Sequence, residues 1–347
     1  MQKKKYLLFL GAWACLFVAG VGACRKPAPR TIVPGTVWHD TEGNPINAHG
    51  GGILYHDGTY YWYGEYKGDS TRYSPDICVG WRAEAGGVAC YSSADLAEWT
   101  FEGVVLPPDT ANPSSDLHPS QIIERPKVVY NDKTEKFVMW VHIDDPNYEK
   151  AHAGVAVADS PTGPFTYLGS CKPNGEDSRD QTLFKDDDGR AYHIYSSEWN
   201  KTLHIGLLNE DYTRHTGTYT RNFVGQYREA PAVFKHEGKY YLISSGCTGW
   251  DPNRAELAVA DSIMGEWTVL GDPCTGPDAE KTFYGQSTYV IPVQGKKNAF
   301  IACFDMWKKK DLQDSRYIWL PMMWDEANGK FSIPWHAEWD LSVFKKK

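Results

Sequence analysis

The chain has 347 residues, a formal net charge of −8 and a hydrophobic content of 41%. A chain of this length can bury a large core, and its 14 Trp and 21 Tyr residues leave aromatic rings to spare. The acidic balance argues against nucleic acid and anionic membrane surfaces as partners. The composition therefore indicates a globular protein with aromatic side chains available for a surface or a cleft.

The first 24 residues are typical of an export signal. Lys3, Lys4 and Lys5 precede an apolar run over residues 6–23 that contains no acidic residue. The sequence Val-Gly-Ala-Cys at 21–24 resembles the lipobox of bacterial lipoproteins, in which the cysteine becomes the acylated N-terminus. We therefore predict a lipoprotein signal peptide over 1–23, lipidation of Cys24 and a tether over 24–32. A cleaved secretion signal and a retained membrane span are the alternatives.

The predicted signal peptide and lipidation site indicate an exported protein, in the periplasm or at the outer membrane of a bacterium. The lipid would be its only attachment to the membrane. Loss of residues 1–23 removes three lysines and shifts the formal charge from −8 to −11. The six later cysteines form no C-x-x-C pair, which argues against a structural zinc site. Closeness in sequence favours disulfides between Cys78 and Cys90 and between Cys247 and Cys274.

Residues 33–347 contain one pattern five times: a polar start, an apolar strand, a turn rich in Gly, Asn or Asp, and an aromatic strand. The five copies cover residues 49–65, 124–141, 180–195, 227–243 and 285–303. Ala-Val-Ala-Asp-Ser occurs in the outer strands at 156–160 and again at 258–262, 102 residues or two units of about 51 later. Four short strands recurring at this period predict an all-β, five-bladed β-propeller as a single domain.

A propeller directs the starts of its innermost strands toward one funnel on its axis, so residues far apart in sequence meet there. Three of these five positions are acidic, and unrelated surface acids would have no reason to fall in phase with the repeat. The five residues are His49, Glu124, Asp180, Glu229 and Gln286.

Carboxyl groups facing each other across a sugar-sized funnel favour glycoside hydrolysis, in which one protonated acid donates to the leaving oxygen. Glu229 is the candidate acid, and Glu124, beside Arg125, is the candidate for a carboxylate that stays charged and tunes it. Two alternatives remain: an ion pair between Arg228 and Glu229 at a strand edge, and acids that only cap strands or bind a central cation.

Four phrases in order at blade spacing resemble glycoside hydrolase family 43, and within it the exo-β-1,3-galactanase branch, subfamily 24. They are Ala-His-Gly-Gly-Gly at 48–52, Glu-Arg-Pro-Lys at 124–127, Arg-Glu-Ala-Pro at 228–231 and Gly-Gln-Ser at 285–287. The resemblance implies an inverting, exo-acting enzyme that removes galactose from β-1,3-galactan or arabinogalactan. An α-L-arabinofuranosidase or β-galactofuranosidase of the same family and a sugar-binding propeller without catalysis are the alternatives.

The usual family pattern has an Asp base at the start of blade one, where this chain has Asn-Ala-His-Gly at 47–50. The galactanase branch similarly lacks that base, and the resemblance implies that Gln286 holds or activates the water. His49 is the alternative to Gln286, but beside three glycines we expect it to pack against the floor of the funnel. The resemblance also implies galactose-binding roles for Tyr148, Asp180, Asn200, Thr248 and Glu65.

We expect no cofactor, because Asp-Asp-Asp-Gly at 186–189 lacks the other ligands of a calcium loop and is better interpreted as a turn. The resemblance leaves a calcium ion on the propeller axis possible, but no clear ligand set in the sequence supports one. We therefore predict no metal site and an oligosaccharide or polysaccharide as the partner.

Overall fold

The computed structural model describes residues 30–75 and 80–344, in which 21 β-strands form five sheets. Blades one and two contain β1 (His49–His56), β2 (Thr59–Tyr73), β3 (Trp81–Ser93) and β4 (Thr100–Leu106), then β5 (Ile122–Asn131), β6 (Lys136–Asp144), β7 (His152–Ala158) and β8 (Thr166–Cys171). Blades three and four contain β9 (Gln181–Lys185), β10 (Ala191–Ser197), β11 (Thr202–Leu208) and β12 (His215–Asn222), then β13 (Arg228–His236), β14 (Lys239–Gly246), β15 (Glu256–Ala260) and β16 (Thr268–Gly271).

Blade five has the order β18-β19-β20-β21-β17, with strands β17 (Cys274–Thr275), β18 (Gln286–Pro292), β19 (Phe300–Met306), β20 (Arg316–Asp325) and β21 (Lys330–Pro334). Short 3-10 turns cover Pro173–Gly175, Ala279–Tyr284 and Leu341–Val343. The innermost strands β1, β5, β9, β13 and β18 contact one another in that order, and β18 contacts β1. The ring closes, and the predicted five-bladed propeller is confirmed.

Each of the five apolar cores lies between two neighbouring blades. Strand β14 shows how one strand serves two cores: Tyr240 and Leu242 pack toward blade three, while Tyr241 and Ile243 pack toward blade five. Successive side chains of a strand point to opposite faces, so a blade buried on both faces needs a nearly continuous apolar sequence. This requirement explains why the repeated apolar and aromatic strands mark the blades so clearly.

Both ends of the described chain help to join blades five and one. Ile32 pairs with Trp339 in an antiparallel bridge, and both side chains are buried. Trp38 packs edge-on against Trp62 of blade one and Trp319 of blade five. The folded part therefore already includes Ile32, which the sequence had placed at the end of the tether.

A β-bulge follows the first residues of four innermost strands and changes the direction of the side chains there. The register shifts after His49, Glu124, Glu229 and Ser287. Gly50, Arg125 and Ala230 have φ of 58°, 53° and 53°, the left-handed region that costs free energy for residues other than glycine. At Gly50 the need for glycine is also steric, because an added Cβ would lie 2.1 Å from Glu65 Oε1.

The predicted disulfides are wrong as far as the described residues show. Cys90, Cys247 and Cys274 are all free, with Cys90 and Cys274 buried and Cys247 exposed. Cys78 lies outside the described residues, as do the signal peptide over 1–23 and the lipidation site at Cys24. Within residues 30–75 and 80–344, no helix is long and apolar enough to cross a membrane.

Candidate active site

One mouth of the propeller axis holds a cavity of about 350 Å³, a size typical of small-molecule sites. It is formed where the innermost strands start and where the second strands of the blades end. Its lining includes seven of the nine residues proposed from the sequence or the resemblance: Glu65, Glu124, Tyr148, Asp180, Asn200, Glu229 and Gln286.

Glu229 lies on β13 in an environment that keeps its carboxyl group protonated. Asn200 Nδ2 donates a 2.6 Å hydrogen bond to Glu229 Oε1. Burial, with the nearby charge of Asp180, raises the pKa of Glu229 to about 8. Arg228 does not pair with it, since the Arg228 guanidinium contacts Ser244 and Glu256 instead. The surface ion pair considered as an alternative is therefore wrong.

Glu124 lies on β5 and is held in the opposite protonation state. Its Oε1 accepts a 2.9 Å hydrogen bond from the Tyr148 hydroxyl, and its Oε2 lies 3.4 Å from His142 Nδ1. Burial opposes ionisation, but the close His142 ring and the charge of Lys67 outweigh it and lower the pKa of Glu124 to about 2. His142, Lys67 and Tyr148 favour the ionised form of Glu124, whereas the neighbouring Arg125 has its side-chain contacts with Asp180, Gln286 and Ser287.

Arg125 instead connects blade two to blades three and five. Its guanidinium lies 3.0 Å from Asp180 Oδ2 and donates to Gln286 Oε1 at 2.5 Å and to the Ser287 carbonyl at 2.9 Å. Its backbone N–H donates to Glu65 Oε1 at 2.9 Å. The side chain is buried, so its charge depends on these partners.

Gln286 is fixed by three hydrogen bonds. Its Oε1 accepts from Arg125 and from the Trp307 indole N–H at 2.9 Å, and its Nε2 donates to Ser245 Oγ at 3.1 Å. Both lone pairs of the amide oxygen are then used, and among the described residues the second Nε2 hydrogen has no partner. Gln286 can therefore orient a water by donating a hydrogen bond to it.

Two candidate residues do not reach the cavity. His49 is fully buried, stacks on Tyr317 with ring centroids 5.3 Å apart, and has Nε2 3.2 Å from the Gln313 carbonyl. Burial lowers the pKa of His49 to about 3, and a substrate cannot contact it. Thr248 uses its hydroxyl inside a turn, donating to the Asp251 carbonyl at 2.6 Å. The preceding residue, Cys247, lines the cavity instead.

Glu65 lines the floor of the cavity, but its carboxylate already has protein partners. Lys67 Nζ lies 2.5 Å from Glu65 Oε2, and the Arg125 N–H occupies Oε1. Asp180 has its two oxygens on the Arg125 guanidinium and lies at the start of β9. The Asp180 side chain is 15% exposed and that of Glu65 only 2%, so Asp180 is the acid closer to the open cavity.

Several lining residues that the sequence did not predict share one topological position. Paired strands run antiparallel, so the end of each second strand lies at the same mouth as the start of the first. Glu65 pairs with His49, His142 with Glu124, and Asp305 with Gln286. The end of the second strand in each repeat is therefore a sequence signal for further lining residues. Those at or near such ends are His142, Trp199, Cys247 and Trp307.

Glu124, His142 and Asp180 are the one group of possible metal ligands in the described part of the chain, with ligand atoms within 4.8 Å of one another. His142 has Glu124 on Nδ1 and Asp144 on Nε2, at 2.9 Å. These carboxylates raise the pKa of His142 to about 9. The turn at 186–189 adds no such group to the described residues, because Asp186 accepts from Lys235 and Tyr240.

A larger cavity, of about 660 Å³, opens at the opposite mouth of the axis. Its lining comes from the other ends of the same innermost strands and includes Tyr55, Tyr130, Lys185 and His236. Neither Glu124 nor Glu229 reaches it. The paired carboxyl groups therefore assign the chemistry to the smaller cavity.

Residues 44–301 match the family described as glycosyl hydrolases family 43. The chain belongs to this family. Among solved structures, it is similar to a family 43 β-1,3-galactosidase with galactodeoxynojirimycin, at 45% identity, covering 89% of this chain and 100% of that one, with a TM-score of 0.83. The propeller fold and the two glutamates in one cavity are those expected of a glycoside hydrolase of this family.

Two other family 43 structures are similar over most of this chain. An exo-β-1,3-galactanase from Phanerochaete chrysosporium with β-1,3-galactotriose is 35% identical, covering 92% of this chain and 71% of that one, with a TM-score of 0.80. One from Clostridium thermocellum is 38% identical, covering 89% and 66%, with a TM-score of 0.79. Among curated relatives, a β-D-galactofuranosidase of Aspergillus niger is 30% identical over 40% of this chain and 44% of its own length. Matches to three curated relatives, this one included, span 31–48% of the relatives' own lengths.

Proposed function

We propose that this family 43 chain is an exo-acting β-1,3-galactanase that releases galactose from the non-reducing end of β-1,3-galactan, including the backbone of arabinogalactan. The observation that carries the proposal is one sugar-sized cavity with two glutamates in opposite states, Glu229 with a pKa of about 8 and Glu124 with a pKa of about 2. The similar galactanase and galactosidase structures support galactose as the sugar.

In this proposal the chain's own groups divide the reaction between them. Protonated Glu229, oriented by Asn200, donates its proton to the glycosidic oxygen as the C1–O bond breaks. A water oriented by the Gln286 N–H attacks C1 from the opposite face of the ring, which inverts the anomeric configuration. The proton that this water loses passes to solvent, and Glu229 takes up a proton from solvent before the next turnover. Ionised Glu124 stabilises positive charge at the sugar and helps to keep Glu229 protonated.

A product assay on β-1,3-galactan, beside arabinofuranoside and xyloside substrates, tests the proposal. We expect galactose from the galactan and little product from the other two substrates. Proton NMR of the first turnovers should show α-galactose before mutarotation. Release of arabinose or xylose alone would refute the assignment, and β-galactose as the first product would refute inversion.

The second candidate is a β-galactofuranosidase or an α-L-arabinofuranosidase of the same family. The observation in its favour is the similarity to the curated β-D-galactofuranosidase over 40% of this chain. Synthetic β-galactofuranosides added to the product assay separate the two functions. A sugar-binding propeller without catalysis has less support, because such a protein has no need for two glutamates held in opposite states.

We also propose that the chain is exported and anchored by a lipid on Cys24 to a bacterial membrane. The basic start, the apolar run over 6–23 and the Val-Gly-Ala-Cys sequence support this. Expression in a bacterium with radiolabelled palmitate should label the membrane fraction, and Cys24→Ala should lose the label. A wild-type protein without label would refute the anchor and leave the enzymatic proposal untouched.

A further inference from the structure

Trp199 is an aromatic side chain at the cavity that the proposed reaction does not use. It lies in the turn between β10 and β11, lines the cavity, and is 64% exposed. Single exposed aromatic residues are ordinary on protein surfaces and need no function. The case for a function here rests on how this turn is built and on what it contacts.

The turn holds Trp199 in an unusual backbone conformation. Glu198, Trp199 and Asn200 have φ of 55°, 58° and 60°, three successive non-glycine residues in the left-handed region. Such residues persist only where their surroundings fix them. Asp177 provides the constraint, since its carboxylate accepts from the Glu198 N–H at 2.5 Å and the Trp199 N–H at 2.9 Å. The indole is therefore presented by a rigid turn.

The indole ring also has a partner on one face. The Arg179 guanidinium carbon lies 4.6 Å from the ring centroid, and Arg179 is itself buried and paired with Asp177. With one face covered, the large exposed fraction of Trp199 must come mainly from the other face and the ring edges. A fixed ring with one open face beside a sugar cavity has the form of a stacking platform.

Two residues beside this ring, Asn200 and Arg179, connect it to the two glutamates. Asn200, the next residue, donates to Glu229. Arg179 donates at 3.1 Å to the carbonyl of Tyr148, whose hydroxyl donates to Glu124. Glu229 must protonate the oxygen that departs with the leaving sugar, so the leaving sugar lies on the Glu229 side of the cavity, where this turn is.

We propose that Trp199 binds the galactosyl unit on the leaving-group side of the scissile bond. The axial C4 hydroxyl of galactopyranose leaves an apolar C–H face around C3, C4 and C5, which suits the electron-rich face of an indole. This role rests on the proposed galactanase function and extends it: the enzyme would select substrates whose leaving group is a pyranose ring.

Trp199→Ala, assayed on β-1,3-galactobiose and on methyl β-D-galactoside, tests the inference. Both substrates need protonation of an alkoxide-like leaving group, but the methyl compound has no ring to stack. We expect kcat/KM on galactobiose to fall roughly tenfold, while kcat/KM on the methyl galactoside stays within about twofold. Trp199→Phe, which keeps a ring, should retain most of the preference for galactobiose.

Tyr55→Ala is the matched control, because Tyr55 is an exposed ring at the opposite mouth of the axis. It should leave both rates unchanged. Wild-type rates on both substrates in Trp199→Ala would overturn the inference, and so would equal losses on both, which would show a role in shaping the turn alone. Wild-type enzyme that releases galactose from neither substrate would instead refute the proposed function.

Discussion

Arg125 Nη2 donates a 2.5 Å hydrogen bond to Gln286 Oε1, joining blade two to blade five across the funnel. This contact explains how the neutral amide of Gln286 keeps a defined orientation in the cavity. Because Arg125 and Trp307 occupy the amide oxygen, the amide nitrogen is the part of Gln286 that can meet a water.

Gln286→Ala should therefore lose the orientation of the attacking water. We expect kcat on β-1,3-galactobiose to fall about 10²-fold or more, as for other single donors at reacting atoms. Ser245→Ala, which removes only the other partner of the amide nitrogen, should cost about tenfold at most. Initial rates of galactose release by the two variants test this prediction. A wild-type rate for Gln286→Ala would exclude the role of Gln286 in holding the water.

Glu229→Gln should abolish proton donation while leaving the cavity intact. We expect about a 10³-fold loss on β-1,3-galactan, within the range for general acids, with galactose binding retained by calorimetry. β-D-Galactosyl fluoride, whose leaving group needs no proton, should be hydrolysed within about tenfold of wild type, whereas Gln286→Ala should fail on the fluoride too. Equal turnover of galactan by Glu229→Gln and wild type would remove Glu229 from its role.

The same substitution should raise stability at alkaline pH. Glu229 has a folded-state pKa of about 8, above its ordinary value of 4.5, so between these values the folded chain holds a proton that the unfolded chain has released. Stability is therefore lost as pH rises through this window. Glu229→Gln should melt a few degrees above wild type at pH 9 and close to it at pH 4.5. A difference that is equal at both pH values would contradict this assignment.

The propeller could be predicted from sequence because its cause is local and repeated. Every blade must bury both faces of its strands, so the same apolar and aromatic pattern returns at a period of about 51 residues. The starts of the innermost strands follow from that period, and Glu124, Asp180, Glu229 and Gln286 do line one cavity.

The partners of these residues could not be predicted, because they depend on side-chain direction across the ring. Arg125 follows Glu124 in sequence, yet a bulge with a left-handed residue turns its side chain toward blades three and five. His49 occupies the correct strand position in blade one but points into the core against Tyr317. Such bulges are invisible in an apolar pattern, as is the one-residue difference between Thr248 and Cys247.

The pH dependence of activity should reveal the influence of Asp180 on Glu229. Burial raises the pKa of Glu229 first and the charge of Asp180 second, while Arg125 lowers it. Asp180→Asn removes the raising charge and releases Arg125 from its ion pair, so both effects lower the pKa. The alkaline limb of kcat/KM, set by loss of the Glu229 proton, should move to lower pH. Thr248→Ala should leave the profile unchanged, and an alkaline limb that moves upward in Asp180→Asn would refute the coupling.

Cys247 offers a chemical test of the cavity wall in the unmodified enzyme. The residue is exposed, and its sulfur lies 3.6 Å from Asn200 Nδ2, next to Glu229. Partial burial of the sulfur and the charge that Glu229 carries once it is ionised raise the pKa of Cys247 to about 12, so methyl methanethiosulfonate should react slowly at neutral pH and faster as pH rises.

The added methylthio group, joined to Cys247 by a disulfide, would occupy the space beside Glu229. We expect the enzyme to lose most of its galactose release, and free galactose to slow the inactivation. Cys247→Ala should resist the reagent, whereas Cys171→Ala, which removes the other exposed thiol of the described residues, should remain sensitive. Inactivation of Cys247→Ala at the wild-type rate would show that Cys247 does not border the occupied part of the cavity.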